Sequence, residues 1–107
     1  MISFSEFQKV DLKSGKILSV EEIEGLDKLY KLQVDMGEPK PRVLLAGIKQ
    51  FYSPQELMGK DIVVAANLEP REIKGIRSEG MLLAADAKGE PILISPDKEV
   101  KPGTKIR

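Results

Sequence analysis

A chain of 107 residues has room for one domain and not for two of ordinary size, and its 41% hydrophobic content suffices for one compact core. Seventeen Lys and Arg balance seventeen Asp and Glu, so bulk charge does not draw the chain to polyanions, and any nucleic-acid contact has to be a local patch. The absence of Cys and His excludes disulfides, thiolate metal sites, and the commonest general base and metal ligand.

The opening MISFSEFQKV lacks the basic-then-apolar order of a signal peptide. No apolar run nears the roughly 20 residues that span a bilayer, so no membrane partner is expected and the chain reads as cytoplasmic. High charge without Cys, His or Trp also leans toward a thermophilic source.

The first strand signal runs from Val10 to Val20, with Val10, Leu12, Leu18 and Val20 in one phase and Ile17 on the other face. Ser14-Gly15-Lys16 interrupts it, and a glycine there predicts a bulge or sharp coil that bends the strand around a small barrel. Tyr30, Leu32, Val34 and Met36 then alternate with Lys31, Gln33 and Asp35, the period of a strand buried on one face. Met36-Gly37-Glu38-Pro39-Lys40-Pro41 punctuates the chain before Val43-Leu44-Leu45-Ala46, a short buried strand. Ser53-Pro54-Gln55-Glu56 sets a hydroxyl at the N-cap, proline at the first helical position and glutamate at the third, predicting a helix that stops at Gly59. Ile62 to Ala66 is a second buried strand. Met81-Leu82-Leu83-Ala84-Ala85 and Ile92-Leu93-Ile94 flank Lys88-Gly89-Glu90-Pro91 as a hairpin, and the tail from Asp97 to Arg107 holds one short final strand. The expectation is a single domain over 1–107, a curled antiparallel sheet with one capping helix.

Enzyme chemistry is poorly supplied. Only Ser–Lys pairs are available to a nucleophile, without an S-x-x-K motif, and no glycine-rich phosphate cradle or D-x-D-x-D-G loop occurs. Glu21, Glu22 and Glu24 read as a solvated charged turn. No catalytic residue, metal site or cofactor is expected.

The unusual stretch is Asn67 to Met81, a polar segment that looks too long for a tight hairpin between two apolar strands. Arg71, Lys74 and Arg77 recur in it at every third residue, a spacing able to grip phosphates. Glu69, Glu72 and Glu79 interleave, and on composition alone a solvated connector is the better reading.

The blocks D-L-K-S-G-K-I, D-K-L-Y-K-L-Q-V-D-M-G, Y-S-P-Q-E-L-M-G-K and A-N-L-E-P-R-E-I-K-G-I-R-S-E-G-M-L-L-A-A, in this order, resemble the tRNA-binding domain family. The resemblance covers nearly the whole chain. Its most specific element is S-x-G-M, formed by Ser78 and Met81, and it is nearest to the C-terminal domain of methionyl-tRNA synthetase. It implies an all-β, five-stranded OB-fold barrel with a short capping helix between strands three and four. It also implies non-catalytic, structure-dependent tRNA binding that raises the tRNA affinity of a synthetase core in the same chain, by a homodimer. Carried over by position, the RNA-facing residues are Lys28, Lys31, Asn67, Arg71, Lys74, Arg77, Ser78 and Met81. Glu69 and Glu72 depart from the family, where Lys is common.

Plainer roles stand beside these. Lys28 and Lys31 fit the solvent side of a strand, Asn67 a closed turn, Ser78 a hydrogen bond to a nearby amide and Met81 a gap in the core. Tyr30, Phe51 and Tyr52 read as core, which disfavours single-strand stacking and favours folded tRNA. Alternatives within reach are a free-standing tRNA-binding protein, a dimerisation module, and an export-type chaperone that binds unfolded polypeptide. The family resemblance implies that the last group alters S-x-G-M. Met1, Ile2, Phe4 and Ile106 lie outside the obvious barrel strands and are expected to form the dimer contact.

Overall fold

The computed structural model describes residues 1–107. A short helix α1 (Phe4–Phe7) leads into strand β1 (Leu12–Ile23), which turns back as β2 (Leu26–Asp35) and again as β3 (Arg42–Ala46). Helix α2 (Pro54–Leu57) precedes β4 (Asp61–Ala65). Then come β5 (Arg71–Ile73), β6 (Ile76–Ser78), β7 (Met81–Leu82), β8 (Ala84–Ala87), β9 (Glu90–Leu93) and β10 (Lys105–Ile106). The main sheet runs β3-β2-β1-β4-β7, with β10 also on β1. This is the expected all-β OB-type barrel, and no helix is long and apolar enough to cross a membrane.

β1 holds the barrel together because it serves two neighbours along its length. Leu12 to Lys16 pair antiparallel with β4, and Lys16 to Ile23 pair antiparallel with β2. Lys16 is the changeover, opposite Asp35 on one side and Asp61 on the other. The bend there needs a residue without a side chain. A Cβ on Gly15 would lie 2.6 Å from Val34 Cγ1 and 2.8 Å from Met36 Sδ, so only glycine lets β2 cross this closely. The pairing through Ser14-Gly15-Lys16 is nevertheless regular, and the bulge foreseen there lies further along, between Ile17 and Ser19. The phase foreseen for Leu18 does not hold: that shift turns Leu18 outward and makes Ile17 a fully buried residue. One extra residue in a strand reverses the facing of the residues beyond it.

The core gathers Ile17, Leu32, Val34, Leu44, Ile62 and Val64, all fully buried, from the faces that curl inward. Leu57 on α2 is also fully buried and packs into this cluster. α2 begins as its sequence predicts: the Ser53 hydroxyl accepts from the Glu56 amide at 3.3 Å and the Glu56 carboxylate accepts from the Ser53 amide at 2.8 Å. A similar box, Ser3 with Glu6, starts α1, an element that strand periodicity does not anticipate. Tyr30 is buried and its hydroxyl donates to the Tyr52 carbonyl at 2.7 Å. Phe51, read as core, is instead exposed, because its turn ends at the surface before α2.

The apolar run from Met81 to Ala85 divides. Met81 and Leu82 pair with β4, whereas Ala84 to Ala87 pair with β9 as a separate ribbon turned at Lys88 and Gly89, both at positive φ. The Tyr52 hydroxyl accepts from the Leu93 amide at 3.2 Å and ties this ribbon to the barrel. The final strand foreseen in the tail is β10, and Ile106 within it pairs with Leu12. Ile106 thus belongs to the main sheet rather than lying outside it.

Arg42 joins three segments at the open edge of β3. Its guanidinium donates to Glu38 through Nε at 2.8 Å and Nη2 at 2.7 Å, and through Nη1 to the carbonyls of Ala66 at 2.6 Å and Glu79 at 3.1 Å. The hydrogen bonds from Arg42 hold the Glu38 carboxyl below its ordinary 4.5, against a smaller opposing effect of desolvation. A carboxylate with a depressed folded pKa contributes stability that is complete above its unfolded value and fades as pH falls through the lower folded one. Thermal melts of the wild type and Glu38→Gln should therefore differ most near neutrality and converge as the pH drops below 4.5. A difference that stays constant from pH 7 to pH 3 would rule out this linkage.

Candidate nucleic-acid interface

The segment between β4 and β7 contains a tight hairpin of its own, contrary to the expectation of a connector too long for one. Arg71 pairs with Ser78, Glu72 with Arg77 and Ile73 with Ile76. Lys74 and Gly75 form the two-residue turn at φ 50° and 76°, the left-handed pair that a tight turn between twisted strands requires. Strand alternation then separates the three cations that the linear spacing aligned. Arg71 shares a face with Ser78, Arg77 lies opposite Glu72 on the other face, and Lys74 sits at the tip. The Lys74 ammonium reaches over Gly25 in the β1–β2 turn, so the hairpin tip meets the other end of the barrel mouth.

Ser78 and its successor close the barrel. The Ser78 side chain is buried and its oxygen accepts from the Leu45 amide of β3 at 3.0 Å while donating to the Gly80 carbonyl at 3.2 Å. The Glu79 amide donates to the Val43 carbonyl at 2.9 Å. A hydroxyl thus substitutes for one backbone partner at a sheet edge. Met81 is half exposed, not a core filler, because β7 turns its side chain toward solvent.

A groove of about 390 Å³ opens beside these residues. Leu29 and Leu45 from the β2–β3 side, Leu68 and Met81 from the other, and Glu69 and Arg71 line it. Leu29 and Leu68 escaped the sequence reading. The available signal was Leu68 itself, an apolar residue between Asn67 and Glu69 with no strand phase to serve.

The other expected site residues divide between this mouth and the scaffold. Lys28 is exposed at the start of β2 near the same turn. Lys31 faces Glu21 across β1 and β2, their charges 4.0 Å apart. Asn67 is engaged at both ends of its amide: it accepts from the Asp11 amide at 2.8 Å and donates to the Lys9 carbonyl at 2.7 Å, clasping the chain ahead of β1 to the exit of β4. Lys28, Arg71, Lys74 and Arg77 have no carboxylate at ion-pairing distance, whereas Lys31, Arg42 and Lys49 do. No group of three or more His, Cys, Asp or Glu side chains is placed to hold a metal ion.

A family model described as "Putative tRNA binding domain" matches residues 12–105. The methionine–tRNA ligase of Pyrococcus furiosus is 49% identical over 106 residues, which is 99% of this chain but 14% of that protein. The chain therefore spans a small part of the curated relatives it matches. A solved MetRS-related protein from Pyrococcus horikoshii has a TM-score of 0.92 at 34% identity, covering 100% of this chain and 98% of that one. Chaperone CsaA from Bacillus anthracis has a TM-score of 0.89 at 31% identity, covering 100% and 99%.

Ser78 and Met81 sit three residues apart yet should respond differently to truncation. Ser78→Ala strands the buried Leu45 amide and should lower unfolding free energy by about 1–3 kcal/mol. Met81→Ala removes a half-exposed side chain and should cost under about 1 kcal/mol. Denaturant melts of the two variants check this; equal losses would contradict a closing role for Ser78 and a surface role for Met81.

Proposed function

The chain belongs to the tRNA-binding domain family, and from that premise we propose that it is a non-catalytic module binding tRNA by shape on behalf of a methionyl-tRNA synthetase. The observation that carries the proposal is the placement of Lys28, Arg71, Lys74 and Arg77, four of the eleven cations that have no acidic partner. They are supplied by the β1–β2 turn region and the β4–β7 segment, the two loops that frame the ligand face of an OB-fold. On a protein of zero net charge, cations free of internal carboxylates are the ones available to phosphates. Lys31, Ser78 and Met81 flank them, and Asn67 and Ser78 act by holding the segment in shape. An appendage of this kind raises the effective concentration of tRNA at a catalytic core linked to it and needs no chemistry of its own.

The module acts as a symmetric dimer. α1 has no buried residue, and Met1, Ile2 and Phe4 are exposed together. A four-residue helix without a packed face is marginal in water, and a second copy covering it would supply the packing it lacks. The likeness to chaperone CsaA supports a second reading, capture of unfolded polypeptide, against which stands the intact Ser78-Glu79-Gly80-Met81 block.

Titrating several tRNAs against the protein at two salt concentrations should give similar affinities and a log–log slope of roughly −2 to −5. Arg71→Ala, Lys74→Ala and Arg77→Ala should each weaken every tRNA alike and reduce the slope by about one, with folding unchanged. A slope near zero, or a reduced unfolded polypeptide displacing tRNA at equal concentration, would favour the second reading. Sedimentation at micromolar concentration should give twice 11.9 kDa; a clean monomer would remove the dimer from the proposal.

A further inference from the structure

The groove has a composition that phosphate binding does not explain. Six of its eleven lining residues are hydrophobic, and its 390 Å³ falls at the small end of the roughly 300–1,000 Å³ typical of small-ligand sites. That is space for one planar ring system with its sugar, not for a stack of several. A surface that only tracked a sugar-phosphate backbone would have no use for Leu29, Leu68 and Met81 at its contact face. The groove nevertheless opens beside unpaired Arg71, so whatever enters it arrives next to a cation. An apolar slot adjoining an unpaired cation is complementary to one nucleotide, with its base against the leucines and methionine and its phosphate toward the guanidinium. The polarizable Met81 thioether is suited to the face or edge of an aromatic ring where no Phe, Tyr or Trp lines the slot.

We infer that this groove takes a single unstacked base of a folded tRNA and that Glu69 selects one bearing an exocyclic amino group. The inference rests on the proposed tRNA-binding function. Glu69 is the only carboxylate lining the slot, and an ionised carboxylate accepts hydrogen bonds without donating any. Adenine, cytosine and guanine offer an amino group to it; uracil has none, and its single N3–H donor is flanked by two carbonyl oxygens that repel a carboxylate. Glu69 thus decides what the slot reads rather than only lowering the local charge.

The test uses the full chain and a folded tRNA transcript probed with dimethyl sulfate for unpaired adenine and cytosine and with kethoxal for unpaired guanine, each at the edge that carries the amino group. The protein should protect one such base that is reactive in free tRNA. Met81→Gln keeps charge and length but makes the floor polar; it should abolish that protection and raise Kd about five-fold while the salt slope stays unchanged. Leu68→Ser, on the same side of the groove, should act in the same direction, and unchanged melting curves for either variant show that the fold is intact. Replacing the protected base by uridine should weaken wild-type binding about five-fold and leave Glu69→Ala indifferent. If tRNA binds with the expected slope and no unpaired base is protected, the slot is not a base site, although the tRNA reading survives. If tRNA does not bind at all, both fall. If Met81→Gln spares tRNA but weakens a reduced, alkylated polypeptide, the occupant is an apolar peptide side chain and the inference is overturned.

Discussion

The barrel depends on how the free edge of β3 is closed. A sheet curled this tightly leaves the β3 backbone without a strand to pair with on one side, and buried amides there are costly if unmet. The chain meets them with the Ser78 hydroxyl on the Leu45 amide and the Glu79 amide on the Val43 carbonyl, while Arg42 of β3 donates to the carbonyls of Ala66 and Glu79 beside it. One side chain and one backbone amide thereby complete what strand pairing leaves open. The same contacts fix where the β5–β6 hairpin stands relative to β2 and β3, so closing the fold and shaping the candidate interface are one event.

The bend in β1 is the second condition for that geometry. Without the close crossing at Gly15 and the shift beyond Ile17, β1 could not serve β4 and β2 in succession, and β3 would not come round to Ser78. The core is a consequence: Ile17, Leu32, Leu44, Ile62 and Val64 meet because the sheet rolls, and Leu57 from α2 packs into the same cluster. Asn67 and the Ser14–Thr104 contacts pin the chain ends to this frame, with the Ser14 hydroxyl accepting from the Thr104 amide at 3.1 Å.

Electrically, the molecule is balanced as a whole and unbalanced locally. Most of its carboxylates near cations are engaged in scaffold pairs, such as Glu38 with Arg42 and Glu22 with Lys49 at 3.0 Å. Four cations at the barrel mouth are not. A zero net charge is therefore compatible with a phosphate-facing patch, because what a polyanion meets is the local unpaired charge, not the sum. The apolar groove opens beside one of them, Arg71.

The sequence by itself determined the strand-rich class, the alternating burial of Tyr30 to Met36, the capped start of α2, and the glycine at the β1 bend. These are local properties: side-chain period, a hydroxyl three residues before a carboxylate, a missing Cβ. It also carried the family, because the blocks from Asp11 to Ala85 are specific in order and spacing. Only the tertiary structure decided which face each residue met. Leu18 and Ile17 exchanged places because a bulge changes parity without leaving a mark in composition. Arg71, Lys74 and Arg77, evenly spaced along the chain, were dispersed over two faces and a tip once a two-residue turn folded them into strands. Ser78 became a barrel contact and Met81 a groove wall for the same reason. Distances between side chains far apart in sequence are set by how the sheet curls, and curvature is a property of all the strands together.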